Sequence, residues 1–284
     1  MATADPLQLA VVGHVEWVTF LRVPSLPRPG EILRASDLLE QAAGGGAVVA
    51  AQMARLAGGA EFFTALGRDR LGERCAQELE SRGLRLHIAW RDAPTRRAIT
   101  FIDGTGERTI TVFGERLSPC ASDDLPWGRL ADCDGVFVTA ADRDALRLAR
   151  SARVLAATPR VGLPLLRSAG VPLDALVGSA TDQGEVYAPG DLDPCPGVYV
   201  GTEGARGGFT WPGGRFAAPQ LPTGAPAQGD GDTYGAGDSF AAGLTTALAA
   251  GWDLKRALDL GGRCGAACVG GRGAYAGQLG LDLF

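Results

Sequence analysis

Residues 229–240 read GDGDTYGAGDSF, which sets four glycines and three aspartates in twelve positions. From Gly235 an apolar helical pattern runs on through Phe240, Leu244 and Leu248. The glycines therefore occupy a turn into a helix. The first N–H groups of a helix lack an internal acceptor and lie at the positive end of its dipole, so such a turn can receive an anion. Gly235 and Gly237 carry no Cβ, which lets a phosphate approach the backbone and opens conformations closed to other residues. With Ala236 they make a candidate anion hole.

Asp238 falls in the first turn of the same helix. Capping and dipole alone favour an acid there. Beside a bound phosphate it also has a chemical use: a carboxylate next to the phosphoryl acceptor takes the proton of a substrate hydroxyl, while backbone amides stabilise the transferring group.

Outward from this turn, the chain alternates short apolar runs with helical patterns. Residues 7–13 (LQLAVVG) read as a buried parallel strand ending in a loop, 44–56 as a glycine cluster opening a helix, and 61–66 as the next strand. The order continues with a helix at 71–82, a strand at 135–139, a helix at 141–152, short strands near Val154 and Leu176, and a strand at 197–200. This predicts an α/β fold, a mostly parallel sheet with helices on both faces. Two segments interrupt it. Residues 17–34 contain three prolines, and 95–113 alternate apolar and polar residues around the turn Asp103-Gly104-Thr105-Gly106, a hairpin pattern. Together they predict a small second sheet, a lid over a cleft or a dimer surface, within one domain spanning 1–284.

At 284 residues, 46% apolar and 21% charged, the chain has enough material for one large core. A net charge of −5 gives no basic field for nucleic acid or an anionic membrane, so neither partner is expected. The opening MATADPLQLAVVG lacks the basic and apolar regions of a secretory leader, and the longest later apolar run is too short to span a bilayer. A cytoplasmic location is expected. The six cysteines are scattered without a CxxC, and read as free thiols.

DTYGAGDSF, residues 232–240, resembles the C-terminal signature of the ribokinase-like, or PfkB, carbohydrate kinases, D-T-x-G-A-G-D-x-F. The family's N-terminal signature is matched by Gly44-Gly45 before a helix ending Ala54-Arg55-Leu56, then by Gly67-Arg68-Asp69-Arg70-Leu71-Gly72. The likeness also takes in residues 27–31, the hairpin with Gly106-Glu107-Arg108, and residues 202–207. It implies a three-layer ribokinase-like fold with a β lid formed from about 15–35 and 95–114. It further implies ATP as donor, Mg²⁺ and a small-molecule hydroxyl acceptor; a homodimer through the lid is expected from the free face of the hairpin. Carried over by position, Asp238 is the catalytic base, with Gly235, Ala236 and Gly237 as the anion hole. Ser179, Asp182, Thr202 and Gly204 fall in the nucleotide site, and Asp182 and Glu185 near the Mg²⁺ waters. Asp232 falls in a loop that in several members helps bind a monovalent cation such as K⁺.

Several positions depart from the pattern. The Asn and Asp that usually follow the first strand are Glu16 and Val18, and two asparagines of the Gly-Gly helix are Gly46 and Val49. The N-x-x-E motif is replaced by Ser179-Ala180-Thr181-Asp182, with Glu185 close behind. The expected substrate contacts are therefore His14, Glu16, Gly44, Gly45 and Asp238. The two-residue period adds Arg97 on a face with Thr95, Ile99 and Phe101, leaving Arg96 pointing away. The leading reading is an ATP-dependent kinase acting on a sugar or related polyol. A nucleoside kinase of the same family and a non-catalytic nucleotide or metabolite sensor are the alternatives. A Rossmann dehydrogenase is disfavoured because the Gly13 turn has no GxGxxG.

Overall fold

The computed structural model describes residues 6–219 and 231–280, so Gly229 and Asp230 of the opening stretch lie outside the described residues. The first apolar run forms a strand, β1 (Leu9–Val12), buried at all four positions. After three residues the chain turns into β2 (Glu16–Arg22) and returns in β3 (Asp37–Ala43). The glycine cluster then opens α1 (Gly45–Ala57), which leads to β4 (Ala60–Gly67), α2 (Arg70–Glu80) and β5 (Leu84–Arg91). The hairpin is β6 (Arg97–Ile102) and β7 (Arg108–Phe113). Alternation resumes with β8 (Gly135–Val138), α3 (Arg143–Ala149), β9 (Val154–Ala157), α4 (Leu163–Ala169) and β10 (Ala175–Ser179). It closes with β11 (Val198–Thr202), β12 (Gly208–Trp211), β13 (Arg215–Phe216), α5 (Ala236–Ala249) and α6 (Leu254–Val269).

Nine strands form the main sheet in the order β13-β12-β11-β10-β9-β8-β1-β4-β5, parallel except at β12 and β13. Alternate residues of one strand feed the two faces, as the pleat requires. Phe62 of β4 belongs to the buried cluster that includes α1, α5 and α6, whereas Phe63 belongs to the cluster that includes α3 and α4, where its ring meets those of Trp127 at 5.3 Å and His87 at 4.5 Å between centroids. The three layers expected from the sequence are present.

The small sheet has the order β3-β2-β6-β7, with β2 and β6 parallel. It corrects the expected boundaries. Residues 24–36 contribute no strand, and the partner on the far side of β2 is β3, pairing from Glu16↔Ala43 to Arg22↔Asp37. The sequence DLLEQAA hides this strand, because its exposed positions carry Leu38 and Glu40 alike and give no clean alternation. Among the described residues no helix is long and apolar enough to cross a membrane, and the cysteines form no disulfide.

Candidate active site

In open parallel sheets ligands bind at the carboxyl ends of strands, where the strand order reverses. Here that point lies between β1 and β8, whose neighbours run away in opposite directions. The residues that follow the two strands meet there: Thr139 Oγ1 lies 3.5 Å from His14 Nδ1. Both side chains are buried.

The Gly-Gly turn closes over this point. Gly44 has φ +88°, and a Cβ on it would lie 3.2 Å from Glu16 Cγ. On Gly45 the same atom would lie 3.0 Å from Asp238 Oδ1 and 3.7 Å from His14 Cε1. His14, Glu16, Gly44, Gly45 and Asp238 thus form one cluster, drawn from both ends of the chain. Gly46 packs against the backbone of His14, where a Cβ would fall 2.6 Å from the carbonyl oxygen. A side chain there would force the His14 backbone to shift.

Tyr234 ties the two signature loops together. Its hydroxyl accepts a hydrogen bond from Gly44 N at 3.1 Å, and its ring meets Phe20 edge-on at 4.8 Å between centroids. Tyr234→Phe leaves the buried Gly44 amide without an acceptor, so a loss of about 1–3 kcal/mol in stability is expected in chemical denaturation. An unfolding midpoint equal to that of the wild type would show that this bond contributes nothing.

Asp232 braces the same loop. It is buried, and its Oδ1 and Oδ2 accept from Tyr234 N at 2.9 Å and Gly273 N at 2.8 Å. With both oxygens bonded to backbone amides, it holds the turn in place. Gly235 then turns the chain in the left-handed region, φ +76°, and caps α5. A Cβ on Gly237 would find no atom within 4 Å, so the backbone of this first turn is open to a ligand.

Asp238 is half-buried. Burial pushes its pKa up to about 6, with Glu185 adding to the rise and Arg108 and Arg160 opposing it. His14 moves the other way. Burial, with Arg116 and Arg96 nearby, lowers its pKa to about 3, so its imidazole is neutral at pH 7 and its 3.7 Å approach to Glu16 is not an ion pair.

Arg97 requires correction. It is exposed on the outer face of the small sheet, its guanidinium 5.0 Å from the centre of the Phe113 ring. The inward residue is Arg96, which reaches Glu16 Oε1 at 3.1 Å. Ala98, Thr100 and Ile102 share its parity and are buried, so the bulky Ile99 and Phe101 mark the outer face and not the inner one. Asp69 of the Gly67–Gly72 motif holds Arg96 in register, accepting from Thr95 N at 2.7 Å, Thr95 Oγ1 at 2.8 Å and Gly72 N at 2.8 Å.

Ser179 and Thr202 lie side by side at the carboxyl ends of β10 and β11, and Gly204, φ +60°, opens the turn that follows. Asp182 and Glu185 both pair with Arg160, Glu185 Oε1 at 2.5 Å. Glu185 Oε2 also accepts from Ser179 N at 2.7 Å. Sequence reasoning missed Arg96, Arg108, Arg116, Thr139 and Arg160. Thr139 and Arg160 follow the ends of β8 and β9, where the strand-end rule points.

The family model for pfkB family carbohydrate kinases matches residues 7–177 and 199–279. An ATP-dependent ribose-1-phosphate kinase of Halopiger xanaduensis is 29% identical, covering 92% of each chain. Among solved structures, a microbiome-derived acarbose kinase superposes with a TM-score of 0.76 at 20% identity, covering 98% of this chain and 97% of the other. Arabidopsis thaliana ribokinase in complex with ribose and ATP superposes with a TM-score of 0.73 at 18% identity, over the same shares of the two chains. Taken with the GAGD turn at the carboxyl ends of a parallel sheet, these matches establish that the chain belongs to the pfkB family of carbohydrate kinases, with ATP as phosphoryl donor.

Proposed function

We propose that this enzyme transfers the γ-phosphoryl group of ATP to a hydroxyl of a small carbohydrate or related polyol, with Asp238 as the general base. The observation that carries this reading is the position of Asp238: its Oδ1 leans over the Gly44-Gly45 turn while its own helix begins at the anion-binding amides. The acceptor hydroxyl gives its proton to Asp238 as its oxygen bonds to the γ-phosphorus, and the bond to the ADP oxygen breaks. The amides of Ala236 and Gly237 take up charge on the transferring group. A pKa of about 6 leaves the carboxylate ionised at neutral pH yet more basic than an ordinary aspartate.

Ser179, Thr202 and Gly204 border the nucleotide. Mg²⁺, when bound, would supply neutralising charge to the triphosphate, and Asp182 and Glu185 would hold it through its waters, since each of their oxygens retains a lone pair beyond its bond to Arg160 or a backbone amide. Each oxygen of Asp232 likewise keeps a lone pair beyond its amide bond, which leaves an acceptor for a monovalent cation such as K⁺.

The outer face of the small sheet supports a homodimer. Leu38, Leu21 and Phe101 lie in one cross-strand row, and Leu38 is 63% exposed. Phe101→Asp should convert the dimer to a monomer in analytical ultracentrifugation, and a wild-type protein that sediments as a monomer removes the proposal.

An ADP-release assay over sugars, polyols, sugar phosphates and nucleosides tests the reaction. Turnover of a carbohydrate is expected. Turnover confined to nucleosides replaces the acceptor class, and ATP binding without turnover of any compound replaces the enzyme with a sensor.

A further inference from the structure

The imidazole of His14 is buried and neutral at pH 7. A neutral imidazole carries one N–H, so one ring nitrogen donates while the other accepts, and the partner of one settles the role of the other. Nδ1 has Thr139 Oγ1 at 3.5 Å. The opposite edge, with Nε2 between its two carbons, faces the Gly44-Gly45 turn: a Cβ on Gly44 would lie 3.4 Å from Cδ2, and one on Gly45 3.7 Å from Cε1. The same atom on Gly45 would lie 3.0 Å from Asp238 Oδ1, so the imidazole edge and the carboxylate border one space. Glu16 Oε1 stands 3.7 Å from Nε2, beyond hydrogen-bond range. Among the described residues Nε2 has no hydrogen-bond partner.

Two observations fix the tautomer. The Thr139 side chain is buried, its backbone N–H is tied to the Val12 carbonyl at 2.9 Å, and Nδ1 is the acceptor that its O–H reaches among the described residues. A proton on Nδ1 would leave that buried O–H unmatched, which folded chains avoid. Gly13 keeps the place of the hydroxyl free, since a Cβ there would collide with Oγ1. The other edge gives the same answer: a lone pair on Nε2 would face the oxygens of Asp238 and Glu16, whereas an N–H faces them favourably. Arg96, Arg116 and Arg160 act on His14 by charge and disfavour a second proton on the ring. They leave the choice of nitrogen to Thr139.

We propose that Thr139 is a positioning residue: its hydroxyl donates to His14 Nδ1 and so holds Nε2–H as a donor to an oxygen of the acceptor lying beside Asp238. The inference rests on the kinase reading above and deepens it. His14 then orients the acceptor without competing with Asp238 for the proton, because its one nitrogen able to accept is already engaged.

The imidazole spectrum of the ¹⁵N-labelled full-length chain reads the tautomer with no phosphoryl transfer, so it stands apart from the kinase reading, which ADP release tests. The chain holds two histidines, and His87→Gln assigns the signals of His14. Wild-type His14 should show Nδ1 unprotonated and Nε2 protonated, a result that decides the tautomer even where a variant fails to fold. Thr139→Val removes the O–H at nearly constant size, and its two nitrogen signals should move towards each other as the tautomers mix. Thr139→Ser should restore the wild-type pattern. With ribose, ribose 1-phosphate and adenosine offered as acceptors, Thr139→Val should lower kcat/KM for the compound turned over by about 3–10-fold, the worth of one neutral hydrogen bond, at unchanged KM for ATP. A wild-type His14 protonated on Nδ1, or a Thr139→Val spectrum equal to wild type, overturns the proposal. So does a spectrum that shifts as expected with kcat/KM unchanged, since the bond then serves packing alone. A tautomer that depends on Thr139 in a protein that turns over none of the three compounds sustains the orientation and counts against the kinase reading.

Discussion

Asp238→Asn should lower turnover by about 10²–10⁴, the usual contribution of a general base, while leaving the protein folded and able to bind ATP. Asparagine has the size of aspartate but cannot take the acceptor proton. The amides of Ala236 and Gly237 remain in place, and removal of a negative charge near the triphosphate relieves repulsion. Stability should move the other way. The folded-state pKa of Asp238 is raised from 3.8 to about 6, so at pH 7 the folded protein carries a carboxylate that burial disfavours. Neutralising it should stabilise the fold by an amount on the order of 1–3 kcal/mol. A variant that is slower and also more thermostable is the expected signature of a charge kept for catalysis. Turnover within a few-fold of wild type would remove Asp238 as the base.

The wild-type pH profile should show an acid limb with an apparent pKa near 6, because only the ionised carboxylate accepts a proton. Below it, kcat/KM should fall about tenfold per pH unit. This loss is distinct from unfolding. His14, lowered from 6.5 to about 3, withdraws stability as pH falls below 6.5, since the unfolded chain binds a proton that the folded chain refuses. Asp238 returns stability in the same direction of pH, as its folded form binds a proton that the unfolded chain releases above about 4. The thermal midpoint should therefore change little between pH 6.5 and 5 while the rate drops. A flat rate down to pH 5 would contradict the assignment.

Much of the site was legible because it rests on backbone requirements. Gly44 and Gly235 adopt left-handed φ, and Gly46 meets another backbone too closely for a side chain. Such demands leave glycines in the sequence, and glycines next to a helical pattern can be read. Asp238 was legible for the same reason, since its place in the first turn fixes what it can reach. The small sheet was less so. Strand parity gives two faces but does not say which is inner, and bulky Ile99 and Phe101 drew the wrong choice when small Ala98 and Thr100 line the buried side. Arg97 was taken for Arg96 on that account alone. Arg116 and Arg160 come from separate loops brought together only by the fold, and no local pattern announces an arginine that acts through a neighbour 44 positions away. Tyr234 occupies the variable position of its motif, where only the structure reveals the bond to Gly44.

Single-turnover transfer from ATP labelled in the γ-phosphate, run with saturating carbohydrate acceptor on wild type and Asp238→Asn, tests the central claim most directly. The account predicts label on the carbohydrate hydroxyl in the wild type, and transfer slower by about 10²–10⁴ in the variant at equal nucleotide occupancy. Label reaching the acceptor at the same rate in both proteins, or reaching no carbohydrate in the wild type, would contradict it.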